Sequence, residues 1–158
     1  MKINIPSDAN ELIHTLQNHG HSAYVVGGCV RDSIIGRQIH DWDICTSATP
    51  DEMLEIFKDK KVIETGLKHG TITVVVKGES YELTTFRIDG KYSDSRRPDS
   101  VIFTSSLIED LKRRDFTINA MAYNDDEGLY ALCCNELDWE EQAKLARQIA
   151  NLPERQDL

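Results

Sequence analysis

The chain has 158 residues, 40% hydrophobic and 28% charged, which suits one globular domain with a real core. No apolar run approaches the roughly 20 residues that cross a bilayer, and Met1-Lys2-Ile3-Asn4-Ile5-Pro6 lacks the apolar stretch of a signal peptide; four cysteines (29, 45, 133 and 134), none in C-x-x-C spacing, argue against a zinc or disulfide framework and for a cytoplasmic, reducing setting. A formal net charge of −9 argues against tight, non-specific binding of nucleic acid by the whole surface, yet Lys91, Arg96, Arg97, Lys112, Arg113 and Arg114 cluster and leave room for a local basic groove.

In chain order, Ser7 is expected to cap a helix whose apolar positions Ala9, Leu12, Ile13 and Leu16 recur at helical spacing, with Gly20 as its stop. Ala23–Val26 reads as a short buried strand ended by Gly27-Gly28. A short helix through Val30, Ile34 and Ile35 follows and closes at Gly36. The stretch from His40 to Cys45 reads as a second strand. Thr49-Pro50-Asp51-Glu52 carries a cap, a first-turn proline and a capping-box glutamate, and opens a helix with Met53, Leu54, Ile56 and Phe57 on its apolar face.

Residues from Lys61 to Thr65 suit a strand. Thr71 to Val76 and Tyr81 to Arg87 form a hairpin with Lys77-Gly78-Glu79-Ser80 between them. Ile88 to Ser100 is polar and reads as a loop, followed by a short strand from Val101 to Thr104. Ser106-x-x-Glu109 starts a helix toward Arg113, Asp115 to Asn124 continues as helix or helix-to-strand, and Asp125-Asp126-Glu127-Gly128 is a turn. Asp138-x-x-Glu141 and the stripe Leu145, Ile149 and Leu152 suggest a terminal helix ended by Pro153.

Three constellations could carry chemistry. Asp41 and Asp43, two apart on a strand, would share a face, and paired carboxylates suit Mg²⁺. Two such ions about 3.5–4 Å apart can clamp the attacking and leaving oxygens of a phosphoryl transfer. Alone, D-x-D is more often a solvated face. Glu82 would be a third acid if its strand lies beside Asp41 and Asp43; the bland alternative is an exposed strand glutamate. Second, Gly27-Gly28 permits close approach of backbone to ligand. The helix start after it suits phosphate, Arg31 could add a charged fork, and Asp32 could orient Arg31 or cap locally. It is neither G-x-G-x-x-G nor a P-loop. Third, Arg113-Arg114-Asp115 lies on a helix with Asn119 four residues past Asp115, which could serve a ligand or be ordinary surface pairing. His69 reads as structural before it reads as a ligand.

These residues sit in blocks: V-V-G-G-C-V-R-D-S-I-I-G (25–36), H-D-W-D-I-C-T-S-A-T-P (40–50), K-H-G-T-I-T-V (68–74), Y-E-L-T-T-F-R-I-D-G (81–90), R-R-P (96–98) and D-L-K-R-R-D-F-T-I-N-A-M-A-Y (110–123). In order and spacing they resemble the catalytic head domain of class II tRNA nucleotidyltransferases (CCA-adding) and bacterial poly(A) polymerases. The resemblance implies an α+β, polymerase-β-like nucleotidyltransferase fold, a mixed sheet flanked by helices. The expected division is a head over residues 1–130 and, from the capping box and apolar stripe rather than from the resemblance, a C-terminal helical extension over 131–158. By position, Asp41 and Asp43 match the family's metal carboxylates and Glu82 its third acid. Gly27, Gly28 and Arg31 fall in its triphosphate-binding segment, and Arg114, Asp115 and Asn119 in its nucleotide-contacting segment. The implied cofactor is Mg²⁺, and the implied partners are CTP or ATP and an RNA, a tRNA 3′ end.

After Tyr123 the chain departs from the family. Neither an Asp-Pro-Phe-Gly-Gly-like segment nor the neck's base-pairing E-D-x-x-R motif follows, and body and tail domains are absent from these residues. The expectation is retained metal and triphosphate binding with little base selection. A non-enzymatic nucleotide-binding or assembly module, or a head completed by a partner chain, stand as alternatives.

Overall fold

The computed structural model describes residues 2–64, 66–89, 101–114 and 119–131. Most of the loop from Ile88 to Ser100, the R-R-P block, Asp115 and the terminal helix with its capping box lie outside the described residues. Among the described residues no helix is long and apolar enough to cross a membrane.

Helix α1 (Ser7–Asn18) places Ala9, Leu12, Ile13 and Leu16 on one buried face, as the spacing requires. Ser7 is not its cap: Pro6 holds that position with no side-chain cap bond, and its pre-set φ of −52° leads the chain into the first turn. Strand β1 (Ala23–Val26) is buried throughout. Helix α2 (Gly28–Ile34) buries Cys29 and Val30, but Ile35, expected on its apolar face, falls at the C-cap and is 54% exposed. Strand β2 (Asp43–Thr46) starts three residues later than expected, so Asp41 lies in the connection before it.

Helix α3 (Pro50–Ile56) starts with the expected box. The Thr49 hydroxyl accepts the Glu52 N–H at 3.3 Å, and the Glu52 carboxylate accepts the Thr49 N–H at 3.2 Å. Strand β3 (Lys61–Ile63), a 3₁₀ turn (Leu67–His69), β4 (Thr71–Val76) and β5 (Glu79–Thr85) follow. The hairpin turn is two residues tighter than expected. Lys77 (φ 51°) and Gly78 (φ 81°) are both left-handed, the geometry that matches strand twist in a two-residue loop, so Glu79 and Ser80 join the ladder.

Strand β6 (Arg87–Asp89) pairs with β7 (Val101–Phe103), with Ile88 opposite Ile102; Ile88 is therefore ladder rather than loop. Helix α4 (Leu107–Lys112) begins where the Ser106 hydroxyl accepts the Glu109 N–H. Strand β8 (Met121–Asn124) turns through residues 125–127 into β9 (Gly128–Ala131), a strand the polar turn signal alone does not announce.

The main sheet runs β3-β4-β5-β2-β1-β8-β9. It is mixed: β2 and β5 are parallel and the other neighbours antiparallel. One face, with Val25, Ile44, Ile72, Val74 and Leu83, packs with α1 and α3 into the main core around Leu12, Met53 and Phe57. Full burial of each such side chain contributes about 1.5–3 kcal/mol. On the other face Tyr24, Val26, Cys45 and Ala122 form a smaller cluster with Phe86 and, from α4, Leu111. This second cluster covers only part of its face: Asp43 and Glu82, further along the same face, remain exposed.

Candidate active site

The site is built where β1 ends, β2 begins and α4 crosses. Parallel pairing sets Asp43 directly opposite Glu82. Residues in register share a face, so the two carboxylates stand side by side. Asp41, exposed in the connection before β2, is close enough to act on Asp43. Ile39 and Trp42 pack with Ile44 toward the main core, which leaves the carboxylates the other side. Although Asp43 stays open to solvent, the protein around it raises its carboxyl above the ordinary value. Desolvation is the largest cause, then the charges of Glu82 and Asp41, with Arg114 opposing them.

Gly27 turns the chain from β1 into α2. Its φ of 80° and ψ of −134° lie in a region that residues with a Cβ rarely occupy. Its N–H donates to the Met121 carbonyl at 2.8 Å, and its carbonyl accepts the N–H groups of Val30 and Arg31. A Cβ built on Gly27 would lie 3.6 Å from Arg114 Nη1, so the guanidinium sits directly against the bend. Gly27→Ala is therefore expected to cost about 1–3 kcal/mol through backbone strain. Thermal unfolding of the variant checks this, and a variant as stable as the parent would contradict it.

Arg31 is oriented from two sides. Its Nε donates to Asp32 Oδ1 at 3.0 Å and its Nη1 to Asn119 Oδ1 at 2.8 Å. The pairing holds the Asp32 carboxyl below its usual range. Asp32 thus orients Arg31 rather than capping the helix. Asn119, expected on one helical face with Asp115, sits just before β8 and turns its side-chain carbonyl to Arg31. Gly28 backs onto Arg31, whose Nη2 would lie 3.3 Å from a Cβ there.

Arg114 reaches this cluster from the end of α4, its Nη2 donating to Asp110 Oδ2 at 3.2 Å. Asp110 has no exposure; it also accepts Arg113 Nε at 3.3 Å and the Arg87 backbone N–H at 3.0 Å. Asp110 lies within a motif block but does not stand out there as a candidate site residue. The signal was available: an acid three and four residues before two arginines forms helical ion pairs. Cys29 also lies here, its Sγ 3.4 Å from the Val26 carbonyl and in reach of the Asp43 N–H. Burial pushes its thiol up to about 11, which disfavours the reactive thiolate. His69 takes part through its backbone, its carbonyl accepting Arg87 Nη1 at 3.1 Å.

The structure thus brings together Asp43 and Glu82 with Asp41 beside them, and Gly27, Gly28, Arg31, Asn119 and Arg114 around the glycine bend; Arg114 acts on Asp43 and links the two groups. Asp115 lies outside the described residues. Among the described residues, no group of three or more His, Cys, Asp or Glu side chains is arranged to hold a metal ion. A Mg²⁺ ion, however, is usually held by one or two carboxylates together with substrate phosphates. The hard oxygen donors of Asp41 and Asp43, crowded by like charge, fit that mode.

The profile for the Poly A polymerase head domain matches residues 23–136. A CCA-adding enzyme of Oceanobacillus iheyensis is 48% identical over 147 residues, covering 93% of this chain and 36% of the relative. The crystal structure of the Bacillus stearothermophilus CCA-adding enzyme in complex with CTP superposes with a TM-score of 0.67 at 44% identity, over 86% of this chain and 31% of that one. A tRNA nucleotidyltransferase complexed with a primer tRNA and an incoming ATP analog gives a TM-score of 0.56 at 28% identity, over 77% of this chain and 34% of that one. The chain therefore spans about a third of the length of these relatives.

Proposed function

Because the chain belongs to the poly(A) polymerase head-domain family, we propose that it is the nucleotidyl-transferring head of a CCA-adding type enzyme, moving nucleotides from CTP or ATP to the 3′ end of an RNA, a tRNA. The head occupies residues 1–130 and residues 131–158 are an extension. The buried free thiols of Cys29 and Cys45 suit a cytoplasmic setting. The observation that carries the reading is the opposition of charges across one small face. Carboxylates of Asp43 and Glu82 stand in register, and the Arg114 guanidinium lies against the Gly27 bend, near enough to act on Asp43.

Arg114 and Arg31 hold the triphosphate by charge-assisted hydrogen bonds, with the side-chain-free backbone of Gly27 and Gly28 admitting it closely. Asp41 and Asp43 are the residues that would hold Mg²⁺, which when bound neutralises phosphate charge and lowers the pKa of the attacking hydroxyl. The RNA 3′-oxygen bonds to the α-phosphorus, the bond from the α-phosphorus to the bridging oxygen breaks, and pyrophosphate leaves. Glu82, exposed beside Asp43, would accept the hydroxyl proton in this reading. The protein's contribution is positioning and charge stabilisation rather than covalent chemistry.

In this reading the groups gathered at the described site, Gly27, Gly28, Arg31, Arg114 and the carboxylates, serve phosphate and metal rather than a base, so base reading by these residues is expected to be weak. In titrations with ATP, CTP, GTP and UTP in the presence of Mg²⁺, the four affinities should fall within roughly 1 kcal/mol, about fivefold, of one another. A strong preference for one base would contradict this. Incubation with labelled CTP or ATP, Mg²⁺ and tRNA lacking its 3′ end tests transfer itself. Binding without any transfer would favour a nucleotide-binding module or a head that needs a partner.

A further inference from the structure

We propose that Asp110 is the positioning residue for triphosphate capture, holding Arg114 in its ligand-ready orientation before any nucleotide arrives. This deepens the reading above and rests on it. Asp110 is fully buried at the end of α4 and accepts three N–H groups from two elements: the backbone of Arg87 at 3.0 Å, Arg113 Nε at 3.3 Å and Arg114 Nη2 at 3.2 Å. The bond from the β6 backbone anchors the carboxylate to a strand, so the acid does not travel with the arginine it orients.

Arg113 engages Asp110 through Nε, whereas Arg114 uses only Nη2. Among the described residues Arg114 Nε is buried without a hydrogen-bond partner, so within them its guanidinium is gripped at one end. The opposite end, Nη1, lies against Gly27. Remove the grip at Nη2 and nothing else among its described hydrogen bonds aims Nη1 there. A long arginine side chain loses substantial rotamer freedom on binding an anion; here Asp110 has already taken that loss in the free protein.

The test is calorimetric titration of inorganic triphosphate with Mg²⁺ into the full 158-residue chain and into Asp110→Asn, Arg114→Ala and the double variant, with thermal midpoints recorded for each. Asp110→Asn should weaken binding on the order of tenfold, and should weaken it no further once Arg114 is already alanine, because the acid acts through that arginine. A folded Asp110→Asn that binds like the parent, or losses that add in the double variant, would overturn the proposal. Should Asp110→Asn fail to fold, arginine side-chain NMR of the unsubstituted chain decides. A restricted Arg114 guanidinium without ligand supports pre-orientation, and free rotation refutes it. If the unsubstituted chain binds no triphosphate, the functional reading itself fails, and capture by Asp110 falls with it whatever the NMR result.

Discussion

Changing Asp41 and Asp43 together to alanine is expected to abolish Mg²⁺-dependent nucleotide binding and to leave transfer at least about a hundredfold below the parent, the scale on which lost charge stabilisation acts. Unchanged binding in a folded double variant would remove the metal assignment. The milder Asp43→Asn carries a second, opposite expectation. The Asp43 carboxyl is raised by desolvation and by Glu82 and Asp41. For a group raised in the folded state, the stabilising contribution is complete below the unfolded pKa and is lost as pH rises through the folded one. At neutral pH the ionised Asp43 therefore works against the fold. Asp43→Asn should raise the melting temperature at neutral pH, by no more than roughly 2–4 °C because the group is exposed, while transfer is lost. The gain should fade as pH falls toward the ordinary carboxylate range. A parent whose melting point rises steadily from that range to neutrality, with no gain in the variant, would contradict it.

Arg114→Ala is the second change with a large effect. It removes the guanidinium that faces Gly27 and deprives triphosphate of a charge-assisted donor worth about 1.5–3 kcal/mol, or roughly 10–100-fold in affinity. It also removes a positive charge that lowers the Asp43 carboxyl. The Asp43 pKa should therefore rise further in this variant, which carboxyl-resolved NMR titration can follow. An unmoved Asp43 would mean that the anion site and the acid cluster are electrostatically independent, against the linkage drawn here.

Much of this was readable locally. The stripe Ala9, Leu12, Ile13 and Leu16 places α1 against the core because helical periodicity needs only a few turns to declare itself. The Thr49 box and the β4–β5 hairpin are equally local, although the turn's two left-handed residues shortened its loop. Strand β9 and the Ile88–Ile102 pairing were not legible, because each depends on a partner strand rather than on its own pattern. At the site, Gly27, Arg31, Asp43 and Arg114 stood out as residue types in motif blocks. Asp110 did not, since its importance lies in total burial beneath two arginines.

Residue order alone determined which short-range elements form and which family blocks the chain carries, because capping, periodicity and motif spacing act over a few neighbouring positions. Only the tertiary structure decided that Glu82 lies beside Asp43, that Arg114 rests on the Gly27 bend and that Asp110 holds it there. Parallel strand pairing and the docking of α4 join segments far apart in the chain. Their register is set by burying both sheet faces at once, a condition that no single stretch of sequence contains.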